Sequence, residues 1–223
     1  MCARATLKKA RLAELAEELE AEVSPEDAAL NRPRYHIAPS DVAWIIEDRG
    51  AGRALRPAIW GYLGRGGRPL VNVRGEQVGS GSGFRDAFAA RRCAFVTDGF
   101  YEWNVAHRPT WFHRADDGLV LLGALAQPAR PGTDAHPRFT VLTTRPNRLV
   151  ASVHDRMAVV IEAAALGDWI GGDPAAAAGL IAPAPEDALV ATPVSTRVNN
   201  VRHDDPACLL PDPPASERQQ SLF

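Results

Sequence analysis

Apolar positions along this chain follow two rhythms, and the strand rhythm dominates. In residues 8–23, Leu12, Leu15, Ala16, Leu19 and Val23 recur at three- and four-residue spacing. That spacing predicts one amphipathic helix packed on the domain, stopped by Ser24-Pro25. Residues 31–40 hold Pro33 and Pro39 and read as an extended loop. Short apolar runs then take over, predicting strands at 42–46 and 54–60 around a Glu-Asp-Arg-Gly turn. Residues 61–69, with four glycines, predict a mobile loop. A strand follows at 70–73, then a short helix at 83–90 that buries Phe84 and Phe88. The middle is β-rich, with strands at 93–96, 100–105, 110–114 and 119–126 separated by turn signals such as Asp98-Gly99 and Asp117-Gly118. Strands at 138–144 and 157–161, helices at 163–170 and 175–181, and a strand at 189–195 complete the pattern. Pro, Ser and Gln from Pro211 onward predict a disordered tail over 211–223. No repeat and no linker divides the chain. The expectation is a single α+β domain over residues 2–210, mainly antiparallel strands with flanking helices.

Composition narrows the function classes. The chain has 223 residues, 46% apolar and 23% charged, with a net charge of −2. That balance argues against a protein that coats nucleic acid by bulk attraction. No apolar run approaches the roughly 18 residues of a membrane helix, and the start lacks the pattern of a signal peptide, so no membrane is expected and cytoplasm is the default. Cys2, Cys93 and Cys208 are far apart, and the histidines are equally scattered, so neither a disulfide framework nor a metal is indicated. No cofactor is expected. Between Arg49 and Arg74 the chain carries Arg53, Arg56, Arg65 and Arg68 without an acid. Such a stretch can line an anion-binding groove.

Four places carry candidate chemistry. Cys2 becomes the first residue once an aminopeptidase removes Met1. A free 1,2-aminothiol combines an amine of pKa roughly 7.7–8.0 with a thiol near about 8.5. The amine condenses with an aldehyde to an imine, and the thiol closes on it as a five-membered thiazolidine. No internal cysteine has that reaction. Glu102 stands in Phe100-Tyr101-Glu102-Trp103 and, on a strand, points away from its two neighbours. A carboxyl lined by aromatics has a raised pKa and can act as general acid or base. His154 is a titratable imidazole between a helical stretch and a strand. Asn72 and Arg74 alternate onto one face of a short strand, where an amide and a guanidinium suit a terminal amine and a phosphate. Each of these residues also has an ordinary structural reading.

In order along the chain come Cys2-Ala3-Arg4, Tyr35-His36-Ile37-Ala38-Pro39, Trp60-Gly61-Tyr62, Asn72-Val73-Arg74, Asp98-Gly99-Phe100-Tyr101-Glu102-Trp103 and His154-Asp155-Arg156-Met157. With Pro193-Val194-Ser195 and Val198-Asn199-Asn200-Val201, this ordered set resembles the SRAP (SOS response-associated peptidase) family, also known as abasic-site processing proteins. The resemblance spans residues 2 to about 210. It implies that Cys2 attacks the open-chain aldehyde of an abasic site in single-stranded DNA and forms a thiazolidine crosslink. Asn72 would orient the terminal amine, Glu102 would move protons during imine and ring formation, and His154 would help open the deoxyribose ring. Arg4, Arg74 and Arg156 match phosphate-holding positions, and Trp103 matches an aromatic beside the flanking DNA. A monomer, associated with the nucleoid when bound to DNA, is the implied state.

The chain departs from the family pattern at Ala3 (usually Gly), Val73 (usually Ala) and Ala158 (usually Pro). Arg65-Gly66-Gly67 stands in a loop where relatives commonly place tryptophan, which shifts DNA contact from stacking towards charge. Three other activities remain open on the residues alone. The first is an N-terminal-nucleophile cysteine peptidase with its own amine as base. The second is a non-covalent binder of single strands, and the third is a lyase acting through an imine.

Overall fold

Strands carry the architecture, as the alternating apolar runs require. A computed structural model describes residues 3–9, 11–79 and 83–211. In chain order the strands are β1 (Ala5–Leu7), β2 (Ala21–Glu22), β3 (Arg34–Ile37), β4 (Val42–Asp48), β5 (Arg53–Trp60), β6 (Tyr62–Leu63), β7 (Pro69–Leu70) and β8 (Asn72–Arg74). They continue with β9 (Arg92–Thr97), β10 (Gly99–Trp103), β11 (Pro109–His113), β12 (Val120–Gln127), β13 (Arg138–Thr144), β14 (Met157–Ala158), β15 (Val160–Ile161) and β16 (Val190–Pro193). Short helices lie between them: α1 (Leu12–Glu18), α2 (Pro25–Ala28), α3 (Arg85–Ala90), α4 (Arg148–Ala151), α5 (Leu166–Ile170) and α6 (Pro174–Gly179). The result is an α+β fold of mainly antiparallel pairings.

The larger sheet closes on itself. β13 pairs antiparallel with β12 and parallel with β5, and β12, β9, β4 and β5 are joined in that order. Closure removes the free edges that an open sheet leaves. Trp60, Phe95 and Phe139 fill the centre, with ring centroids 4.9 to 6.1 Å apart, and the Trp60 Nε1–H donates to the Val71 carbonyl at 3.0 Å. A buried indole needs such a partner. Both edges of β13 are used twice. Where β5 leaves one edge, β8 takes its place, with Thr143 opposite Arg74. On the other edge β14 replaces β12, with Thr143 opposite Ala158. Three segments distant in sequence therefore meet at Thr143.

The second sheet runs β16-β11-β10-β1-β3. The chain enters it from β9 at Asp98-Gly99. A Cβ on Gly99 would lie 2.2 Å from Trp111 Nε1, so only glycine lets β10 approach β11 this closely. The buried Asp98 carboxylate accepts from Thr6 Oγ1 and from the Lys8 amide, both at 2.5 Å. Those bonds fix the register of β1, in which Ala5 faces Phe100 and Thr6 faces Gly99.

The structure corrects several local expectations. The helix expected at 8–23 is only Leu12–Glu18, because Glu20 adopts a positive φ of 51° and the chain turns into β2. Its stripe of Leu12, Leu15, Ala16 and Leu19 is nonetheless buried. Ser24-Pro25 starts a helix instead of stopping one: the Ser24 hydroxyl accepts from the Asp27 amide and caps α2. The loop expected at 31–40 contains β3, which pairs with β1. Phe88 in α3 is buried, but Phe84, just before that helix, is only half-buried. The arginine stretch does not form one anion groove. Arg49 and Arg56 both reach Glu47, at 2.7 and 2.9 Å, and Arg53 lies 3.6 Å from Glu20. Arg65 and Arg68 stand on the exposed turn between β6 and β7. The expected tail lies outside the described residues from position 212. Among the described residues no helix is long and apolar enough to cross a membrane.

Candidate active site

The chemistry-bearing residues lie at the end of β13 and on β10 of the second sheet. Asn72 and Arg74 are on β8, half-buried and exposed respectively, opposite Val141 and Thr143. The chain then turns tightly. A Cβ on Gly75 would meet Ile181 Cγ2 at 2.4 Å, so this glycine allows the close pass that brings Glu76 out at the rim. From the other edge of β13, the turn between α4 and β14 carries His154 and Arg156. Asn147 caps the start of α4 by accepting from the Val150 amide, and this short helix ends at Ala151, shortly before His154.

Arg156 ties these two segments together. Its Nη1 and Nη2 donate to the two Glu76 carboxylate oxygens at 2.9 and 2.8 Å, and Nη2 also donates to the Thr143 carbonyl at 2.6 Å. This two-point fork holds Glu76 below the usual carboxylate range. The Arg156 amide in turn donates to His154 Nδ1 at 3.0 Å. Burial holds the His154 imidazole below its ordinary pKa. With Nδ1 accepting, the neutral ring carries its proton on Nε2. The Asp155 carboxylate also lies 3.0 Å from Nδ1. The amide suits an Nδ1 that accepts, and the carboxylate suits an Nδ1 that carries a proton, so the two partners compete for this nitrogen.

Glu102 sits on β10 with only 1% exposure. Burial pushes its carboxyl up to about 7, and the Asp155 charge pushes the same way. Tyr101 and Trp103, which flank it, contact each other on the other face of the strand, 6.1 Å between centroids. The Tyr101 amide donates to the Arg4 carbonyl at 3.0 Å, extending the β1–β10 pairing towards Glu102. Ala3 and Arg4 then share an open pocket with Trp103, His107, Val198 and Asn199. The Trp103 Nε1–H donates to Asn199 Oδ1 at 2.6 Å. Asn199 belongs to a C-terminal strap packed on Tyr101 and Trp111 through Val194, Val198 and Cys208.

Seven of the eight residues singled out from the sequence are therefore placed. Arg74 and Arg156 meet at Thr143, His154 joins them through the Arg156 amide, and Asn72 stands two residues back opposite Val141; Glu102 is buried on β10, and Arg4 and Trp103 line a pocket beside that strand. Cys2 lies outside the described residues. Arg156 differs from expectation in one respect, since Glu76 and Thr143 already engage its guanidinium. The sequence alone gives no role to Glu76, Asn199, Asp98 or Thr143. The only signal for Glu76 is a carboxylate two residues after Arg74. Asn199 stands in a segment that carries the family resemblance, without a partner to suggest its role. Cys93 and Cys208 are buried, with thiols pushed up by burial. Among the described residues no cluster of His, Cys, Asp or Glu is arranged to hold a metal ion.

A mixed-sheet domain with this rim belongs to a known class: the SOS response associated peptidase (SRAP) family matches residues 1–201, and the chain is a member of it. Two relatives are informative. The chain is 26% identical over 223 residues to the abasic site processing protein YedK of Escherichia coli (strain K12), covering 95% of this chain and 100% of that protein. It is likewise 26% identical over 188 residues to the abasic site processing protein YoqW of Bacillus subtilis (strain 168), covering 78% and 84%. A crystal structure of a protein from Bacteroides thetaiotaomicron shares the fold at a TM-score of 0.80 and 16% identity, covering 95% of this chain and 100% of that one.

Proposed function

We propose that this protein processes abasic sites in single-stranded DNA by forming a thiazolidine between Cys2 and the sugar aldehyde. Relatives named as abasic site processing proteins, together with membership of the family, support the processing role. The observation that carries the chemistry is Glu102: a carboxyl with 1% exposure and a pKa pushed up to about 7, on the strand that pairs with β1. Ala3, the residue that follows Cys2 in the chain, lines the pocket beside Trp103.

The reaction balances without a co-reactant. The neutral terminal amine adds to C1′ of the open sugar, and the resulting hydroxyl leaves as water to give an imine. The thiol then adds across the C=N bond. One C–N and one C–S bond form, and one water departs. Near neutral pH both forms of Glu102 are populated, so the acid can protonate the departing hydroxyl and the carboxylate can take the thiol proton. His154, neutral at that pH, exchanges a proton at Nε2 as the sugar ring opens. Asn72 orients the amine, Arg4 and Arg74 hold phosphates, and Trp103 offers a face to a flanking base.

The test is a denaturing gel of the mature protein with a single-stranded oligonucleotide bearing one abasic site. A slow-migrating adduct is expected, absent with intact DNA and with Cys2→Ala. A protein that binds abasic DNA equally well as Cys2→Ser, with no heat-stable adduct from either form, would be a non-covalent binder. Strand scission without an adduct would identify a lyase.

A further inference from the structure

Asn72 and His154 are on segments that no strand pairing among the described residues joins directly; each is attached to β13, on opposite edges. What bridges them is the Glu76–Arg156 ion pair. Glu76 follows β8 in the 3₁₀ turn Gly75–Gln77, so its carboxylate moves with Asn72 and Arg74. Arg156 answers with both Nη atoms, anchors one of them on the Thr143 carbonyl, and is only 17% exposed in its side chain. Partial burial and two-point geometry give such a pair an orientation that a single surface contact lacks. Arg156 then acts on the catalytic ring through its main chain: its amide occupies His154 Nδ1 at 3.0 Å. A neutral imidazole whose Nδ1 accepts from a donor carries its proton on Nε2.

From this chain of contacts we infer that Glu76 is a positioning residue of the site: through Arg156 it sets the tautomer of His154 and holds the Asn72 strand against the His154 turn. Glu76 itself touches no reacting atom. The inference rests on the abasic-site reading for its catalytic consequence, but not for its structural one. It also assigns Arg156 a duty beyond phosphate contact. A guanidinium whose Nη pair is already engaged by a carboxylate exchanges that partner for a phosphate only by giving up the brace.

Two measurements on Glu76→Gln and Glu76→Asp separate these possibilities. The first is ¹⁵N NMR of the imidazole nitrogens in the absence of DNA. Wild type is expected to give the Nε2–H pattern for His154, Glu76→Gln a mixture of tautomers, and Glu76→Asp a pattern closer to wild type. An unchanged tautomer in a folded Glu76→Gln protein would overturn the inference, whether or not any adduct ever forms. The second is the single-turnover rate of adduct formation against DNA concentration. Glu76→Gln is expected to lower the rate at saturating DNA about tenfold, since small misplacements of catalytic groups carry costs of this order. The half-saturating DNA concentration is expected to stay within about twofold, because a loss confined to the transition state leaves ground-state binding in place. A saturating rate equal to wild type with DNA bound about tenfold more tightly would mean instead that Glu76 merely competes with phosphate for Arg156, and would sink the positioning role. Failure of wild type itself to form an adduct would count against the abasic-site reading alone, because the NMR comparison stands without it.

Discussion

Two glutamates at this candidate site have opposite surroundings. On the floor, Glu102 is enclosed in β10, and burial pushes its carboxyl up to about 7. At the rim, the Glu76 side chain is 47% exposed, and the Arg156 fork holds its carboxyl below the ordinary value. The side chains are identical; what differs is access to water and to a cation. The buried group can give and take a proton near neutrality, which suits chemistry. The exposed group stays charged and can only hold its partner, which suits positioning. On the proposed reading, the buried strand carboxyl moves protons and the carboxyl in the turn braces.

Replacing each carboxylate breaks this contrast in a different way. Glu102→Gln removes the floor's proton exchange and should slow adduct formation about a hundredfold at pH 7, read by single-turnover gels, the lower range expected for loss of a general acid–base group. The same change should help stability. A carboxyl with a folded pKa of about 7 and an ordinary value of 4.5 favours folding while protonated, and that contribution is lost as pH rises from about 4.5 through 7. Relative to wild type, Glu102→Gln should therefore gain up to about 3 kcal/mol at pH 8, from denaturant melts at pH 5 and pH 8. Glu76 has the opposite sign. Its depressed pKa contributes stability present above its ordinary value and lost as pH falls through the depressed one, so Glu76→Gln should flatten the acid side of the profile.

Asp98 sharpens the comparison, being buried like Glu102 yet bonded to Thr6 and Lys8. Asp98→Ala strands two donors and should cost about 2 kcal/mol in denaturant melts. It should also slow the adduct, because β1 follows directly on Ala3 and Arg4, which line the pocket beside Trp103. Trp103→Ala should weaken binding of a single-stranded oligonucleotide about tenfold, within the range measured for a base on an aromatic. Asn199→Ala, which frees the indole from its Oδ1 partner without removing the ring, should cost only about threefold by the same titration, the equivalent of one ordinary hydrogen bond.

Much of this was legible in the residues, and for a physical reason. Strand runs such as 138–144 and 54–60 declare themselves because alternate burial demands alternate chemistry, and β13 and β5 match those ranges to within a residue. Glu102 was legible as a carboxyl among aromatics on a strand, and its elevation follows from the burial this implies. The 8–23 stretch misled because its apolar spacing continues through Leu19 while the backbone reverses at Glu20. Ser24-Pro25 misled because the same pair can end one helix or cap the next. The arginine stretch misled because Arg49, Arg53 and Arg56 pair with Glu47 and Glu20, acids that lie outside the stretch. Glu76, Thr143 and Asn199 were illegible for the same cause. Each acts through a partner 80, 13 or 96 positions away, and no local pattern records that pairing.

The most direct test of the covalent chemistry is intact mass spectrometry of the purified protein before and after incubation with an oligonucleotide carrying one abasic site. The expected result is a chain lacking Met1, and then an adduct equal to that chain plus the oligonucleotide less one water, with the mass increment mapping to the Cys2 peptide. A chain that keeps Met1 or carries an acetyl group on its amine, or an adduct that maps to any other residue, would contradict it.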